Sequence, residues 1–213
     1  MYHKFLFTYS EQEKLAVFLP PKTGTIHATF IFNHFNFKTN FYGKEDDRLI
    51  LEEDYFIHHH YEKIPKGCED YDVIYTTRNP YTRLISMYYY EKLISEDKTP
   101  NKTFKQYFSN SANHGWGNIK PGFNFVKTPK YFLRMEHLYH DYTQIPFIRD
   151  SKLNKSGILQ ELCEKKIHAK KQETKSLKEY YTQDMVDHLY ENFKPYFDIT
   201  GYDKDSWKRG LGE

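Results

Sequence analysis

The chain has 213 residues, the length of one domain with room for a sizeable core. Lys and Arg number 31 against 29 Asp and Glu, and the net charge of +2 excludes a dedicated nucleic-acid binder, which needs a marked basic excess. The 38% of apolar residues is rich in rings, with 20 Tyr and 17 Phe, so each buried tyrosine hydroxyl must find a partner. Cys68 and Cys163 offer neither a metal spacing nor a disulfide framework and read most simply as thiols in a reducing compartment.

Residues 1–14 hold no signal-peptide pattern: Phe5, Leu6 and Phe7 make too short an apolar run, and Glu11, Glu13 and Lys14 follow closely. No run approaches the length of a membrane span, so the expectation is a soluble, cytoplasmic protein. Leu15 to Leu19 is an apolar run of strand length, stopped by Pro20 and Pro21. Lys22, Thr23, Gly24 and Thr25 make a tight loop, and Ile26 to Phe37 then carries apolar and aromatic residues at helical spacing. Strand, loop and helix in this order aim free backbone N–H groups and the positive end of a helix at one place. With the Lys22 charge and two threonine hydroxyls, the chemistry is that of an anion site, most simply for phosphate. The same composition also suits an ordinary surface turn. It is not a Walker A loop, because its single glycine follows the lysine. His27 lies close enough to the loop to touch the anion, with Thr29 a weaker candidate, whereas His34 reads as packing or surface.

Lys38 to Asp54 reads as a polar loop, with Glu45, Asp46 and Asp47 on a solvated face, leading to a short strand at Arg48 to Leu51. In the next stretch, His58 and His60 share one face of an extended segment and His59 points away. No Asp, Glu or Cys completes a metal set there, so a polar surface strand is the simpler reading. Tyr71 to Thr77 predicts another strand, rich in β-branched and aromatic residues. Asn79 suits a helix N-cap and Pro80 the first helical position. Arg78 then sits between strand and helix, with Ser86 about two turns further on. A guanidinium fork and a hydroxyl so placed suit a second phosphate.

Further on, Phe104 to Phe108 predicts a short helix, and Ser109 to Gly122 a loop in which Trp116 is exposed, either as a sugar-binding surface or as a hydrophobic plug. Tyr131 to Met135 predicts a third strand, followed by a helix from Glu136, with Arg134 and Glu136 as a structural pair. Lys152 to Lys178 is the most basic region. Its interspersed Glu161, Glu164 and Glu173 suggest a solvated helix face, and the alternative is a flap or cradle over an anion. Tyr180 to Phe197 is amphipathic, with Met185, Leu189, Phe193 and Tyr196 as a core stripe, and Asp203 to Glu213 reads as a frayed tail. Strands followed by helices argue an α/β fold: a P-loop-like, three-layer arrangement with a central parallel sheet flanked by helices, in a single domain over 1–213.

Pro21 to Thr25 after one strand, and Arg78 to Ser86 after another, together resemble the paired signature of sulfotransferases that use PAPS (3′-phosphoadenosine-5′-phosphosulfate). The likeness is closest to the carbohydrate, glycan 2-O-type branch, and extends to Tyr131 to Leu138, Leu153 to Ser156 and Tyr180 to Tyr202. The resemblance implies in-line transfer of a sulfuryl group from PAPS to a hydroxyl or amine of an acceptor, with a carbohydrate as the first choice and PAP as product. It implies that Lys22, Thr23, Gly24, Thr25, Ile26 and His27 hold the 5′-phosphosulfate, and that Arg78 and Ser86 hold the 3′-phosphate. His60, or else His58, then takes the acceptor proton, and His59, Trp116, Arg134 and Glu136 border the acceptor. No metal is implied. Many animal relatives in that family are anchored in the Golgi by an N-terminal helix. This chain departs from that pattern, and the expectation is a naturally soluble enzyme of microbial or viral origin, ahead of a trimmed form of a longer one. Two other readings stay open: a P-loop-type kinase, which calls for a lysine after the glycine and a magnesium-holding Asp, and a non-catalytic protein that binds PAP or PAPS.

Overall fold

A strand that is apolar at every position has to be covered on both faces, and Leu15 to Leu19 are all buried. The computed structural model describes residues 5–20, 22–42, 67–94, 102–114, 116, 127–164 and 176–208. It divides into two units, Met1–Thr77 with Phe125–His168 and Arg78–Asn124 with Ala169–Glu213.

The first unit holds the sheet. Strand β1 (Phe5–Ser10) turns into β2 (Leu15–Phe18) as an antiparallel hairpin, with Thr8 opposite Val17 and Ser10 opposite Leu15. After helix α1 (Thr25–Asn33), β3 (Lys38–Tyr42) pairs antiparallel with β1. β4 (Asp72–Thr77) runs parallel to β2, and β5 (Tyr131–Arg134) parallel to β4, giving the order β3-β1-β2-β4-β5. β2, β4 and β5 are thus the predicted parallel sheet, and the β1–β3 pair extends it. The expected loop from Lys38 begins instead as a strand. Its Lys-Thr-Asn start carries no strand pattern because an edge strand needs no continuous apolar run. The strand expected at Arg48 to Leu51 lies outside the described residues.

One face of the sheet presents Leu15, Val17, Ile74 and Leu133. Against them pack Ala28, Ile31 and Phe32 of α1, Leu138 and Tyr142 of α4 (Leu138–Tyr142), Ile148 of α5 (Pro146–Arg149) and Leu159 of α7 (Ile158–Glu164), with the short α6 (Lys152–Lys155) between the last two helices. Full burial of Ile74 or Leu133 contributes about 1.5–3 kcal/mol each. The opposite face buries Ala16, Phe18, Val73 and Tyr75. α1 stops short of the expected Phe37. Asn36 turns into the left-handed region (φ 59), and Phe37 folds back against Phe32.

The second unit is helical. α2 (Pro80–Ile94) starts where Asn79 caps it, Oδ1 accepting the Tyr81 N–H at 3.0 Å. α3 (Phe104–Asn113) opens with a capping box between Thr103 and Gln106 and buries Phe104, Tyr107 and Phe108. It runs past its expected end, because the outer face carries the Ser and Asn residues that read as loop. After α8 (Leu177–Tyr180), α9 (Gln183–Thr200) buries Met185, Leu189, Phe193 and Tyr196 as predicted and ends at Gly201 (φ 74). The expected frayed tail is docked over Lys204–Lys208. Tyr81 OH donates to the Lys204 carbonyl (2.7 Å) and Asn79 Nδ2 to Ser206 Oγ (2.8 Å). Among the described residues no helix is long and apolar enough to cross a membrane.

Candidate functional site

The chain leaves β2 and turns at Lys22 and Gly24, both left-handed (φ 65 and 79). A lysine in that region is uncommon, and its surroundings must hold it there. Thr23, fully buried between the two, does so. Its hydroxyl donates to the Pro20 carbonyl (2.6 Å) and meets Thr76 Oγ1 of β4 at 2.7 Å, and its N–H reaches the same carbonyl at 3.3 Å. Thr25 Oγ1 donates to Pro20 O as well (3.2 Å). Both threonine hydroxyls, read from sequence as donors to an anion, are therefore spent on the shape of the loop.

What the loop offers is backbone. Gly24 is the N-cap of α1 and has no side chain to satisfy the first turn. The first helical bond runs from Ala28 N–H to Gly24 O (2.9 Å). The amides of Thr25, Ile26 and His27 precede it and lie outside the helical ladder. Three neighbouring N–H groups, the helix dipole and the half-exposed Lys22 suit a tetrahedral oxyanion. The side chain of His27 turns the other way. Its Nε2–H donates to Leu162 O of α7 (2.8 Å), which leaves Nδ1 a buried acceptor with no partner among the described residues. Burial lowers its pKa, partly offset by that hydrogen bond, so the ring is held neutral. His27 therefore brings its amide, not its imidazole, to the loop.

The second predicted stretch is built differently. Tyr196 OH accepts the Arg78 N–H (3.3 Å) and donates to the Arg78 carbonyl (3.2 Å), which fixes that residue's backbone. Arg78 Nε donates to Thr82 Oγ1 at 3.1 Å, which orients the guanidinium, and Arg78 remains half-buried. Ser86 is also half-buried, two turns into α2. Arg83, in the same turn, is fully buried and belongs to the interior.

The other expected site residues scatter. His58, His59 and His60 lie outside the described residues. Trp116 is not exposed. It is 3% accessible, edge-on to Phe108 and Phe193 at 5.2 Å each, and is the plug rather than the sugar platform. Arg134 grips Asp141 with a two-pronged fork (2.6 and 3.0 Å), a partner the sequence reading did not name, and Glu136 is exposed. Both cysteines are free thiols, and burial pushes Cys163 up to about 12, so it stays protonated and is no nucleophile. Thr76 and Met135, which shape the loop from β4 and from the end of β5, carry no sequence signal that would have singled them out.

An α/β sheet whose parallel strand feeds a left-handed loop and a bare helix start defines an anion-binding fold of the P-loop-like kind. A profile of the sulfotransferase domain matches residues 44–200. The chain belongs to the sulfotransferase family and is a sulfuryl-transferring enzyme. The matched span contains Arg78 and Ser86 and begins after the Lys22 loop. Comparison with curated proteins and with solved structures gives no match.

Proposed function

We propose that this sulfotransferase uses PAPS as donor and passes the sulfuryl group to a hydroxyl or amine of an acceptor, with a carbohydrate favoured by the resemblance of its motifs to the glycan 2-O-type branch. The observation that carries the reading is the uncapped start of α1. Three amides outside the helical ladder, behind a left-handed glycine and beside Lys22, fit the 5′ end of such a donor. Bound PAPS would supply a sulfuryl group on a phosphate leaving group. Lys22 and the α1 amides set a positive field where that phosphate gains charge. Arg78 and Ser86 bind the 3′-phosphate and select PAPS over ATP. His60, with His58 as the alternative, takes the proton of the acceptor hydroxyl, a task suited to a group that titrates near neutrality. His59 and Glu136 stand with the acceptor in this reading.

Titration calorimetry of PAP, with ADP and ATP in parallel and without magnesium, tests it. PAP should bind more tightly than either, and Arg78→Ala should erase that preference. Equal or tighter binding of ATP would replace the reading with that of a nucleotide kinase.

A further inference from the structure

The loop at Lys22–Thr25 is gripped from two adjacent strand ends. The Thr76 hydroxyl at the end of β4 meets the Thr23 hydroxyl (2.7 Å). Gly24, the next residue, is met from β5. A Cβ built on Gly24 would fall on Met135 Sδ, well inside contact distance, with Met135 Cε at 2.7 Å. The thioether therefore lies directly against the Gly24 α-carbon. Met135 is itself anchored. Its N–H donates to Thr77 O (2.9 Å), which carries the β4–β5 pairing one residue beyond Thr77 opposite Arg134. Just before it, Arg134 holds Asp141 through its backbone N–H (2.8 Å) as well as its guanidinium, and this fixes the chain where it leaves the strand. The Met135 side chain packs on the core beneath.

We infer that Met135 is a positioning residue for the anion loop: its thioether backs Gly24 in the left-handed conformation and so sets the direction of the Thr25, Ile26 and His27 amides. The inference rests on the reading of this loop as the holder of the donor's 5′ end. An unbranched, polarisable side chain suits the role, since it fills the irregular space under a glycine without a hydrogen bond of its own. Any side chain at position 24 would displace it, and the positive φ would add backbone strain.

The test compares two ligands on the full-length protein: PAP, and adenosine 3′-monophosphate, which lacks the 5′-phosphate. Met135→Ala removes the backing and should weaken PAP by about tenfold while leaving adenosine 3′-monophosphate unchanged. Met135→Leu, of similar volume, should bind PAP within about twofold of the parent. A general loss of structure would weaken both ligands together, and an indifferent Met135 would leave both unchanged. Either result overturns the inference, and so does a Met135→Leu protein as weak as Met135→Ala. A parent protein that binds the two ligands equally well points elsewhere. In that case the loop does not hold the 5′ end, and it is the functional reading beneath the inference that fails.

Discussion

The starts of α1 and α2 follow strands of similar kind, yet they solve the same problem in opposite ways. Every helix begins with amides that lack an intrahelical acceptor. At α2 the protein supplies one itself: Asn79 Oδ1 takes the Tyr81 N–H, and the Asn79 amide is tied in turn to Ser206. At α1 the cap is Gly24, which has nothing to offer, and the nearby hydroxyls of Thr23 and Thr25 are turned to Pro20 O. A closed helix start can serve a ligand only through side chains such as Arg78 and Ser86. An open one serves it through backbone. The two stretches look alike as strand, loop and helix in the sequence, and only the first has the open helix start that this pattern promises.

The sharpest way to break the contrast is at Lys22. Lys22→Ala should lower turnover by about 10²–10³-fold, the scale for loss of one group that stabilises developing charge, with thermal unfolding nearly unchanged. A fully active variant would remove the loop from catalysis. Next in size is Arg78→Ala. Loss of a charged hydrogen-bonding group of about 1.5–3 kcal/mol should weaken PAP about 10- to 100-fold and leave ADP, which lacks a 3′-phosphate, unaffected. Smaller again is Asn79→Ala, which deletes a cap and the bond to Ser206. A loss of about 1–2 kcal/mol is expected, seen as a Tm lower by a few degrees, with PAP affinity retained. A loss of PAP affinity as large as that in Arg78→Ala would show that the capped start of α2 itself, and not only the Arg78 and Ser86 side chains, serves the ligand, and would undo the distinction.

The parts of the molecule that were legible in the sequence are those where one physical demand dominates. Leu15 to Leu19 announces itself because an inner parallel strand is apolar on both faces, and Tyr71 to Thr77 because it is rich in β-branched and aromatic residues. α9 does so because its stripe of Met185, Leu189, Phe193 and Tyr196 recurs at helical spacing. The Asn79–Pro80 start of α2 is stated by local chemistry alone. What stayed hidden depends on contacts distant in sequence. β3 is a strand because β1 lies beside it, and Trp116 is buried because Phe108 and Phe193 surround it. The turn at Lys204–Lys208 is held by Tyr81 and Asn79, more than a hundred residues earlier, and residues 209–213 of the expected tail lie outside the described residues. Within the candidate site the loop itself was visible. The inward turn of Thr23, Thr25 and the His27 ring was not, because residue type shows that a group can donate a hydrogen bond and leaves open to which acceptor.

The smallest expected effect concerns how α1, uncapped, is held at all. One turn in, the buried His27 ring donates to Leu162 O and leaves Nδ1 without a partner among the described residues. A neutral imidazole thus adds to the apolar packing that holds α1 against α7, and charging it would place an ion in that buried space. Its folded pKa lies below the ordinary histidine value of 6.5, with burial the main cause. The unfolded chain therefore takes up this proton first as the pH drops. The stabilisation is fully present above about 6.5 and is lost as the pH falls from there through the folded value. The informative quantity is the difference between the parent and a His27 variant measured over the same pH range. Tm should fall less between pH 7.5 and 5 in His27→Gln than in the parent, since Gln can still donate to Leu162 O but does not charge. Parallel curves would show that α1 does not depend on a neutral His27. Its open start would then owe its position to the grip on Thr23 and Gly24 and to the core packing of Ala28, Ile31 and Phe32.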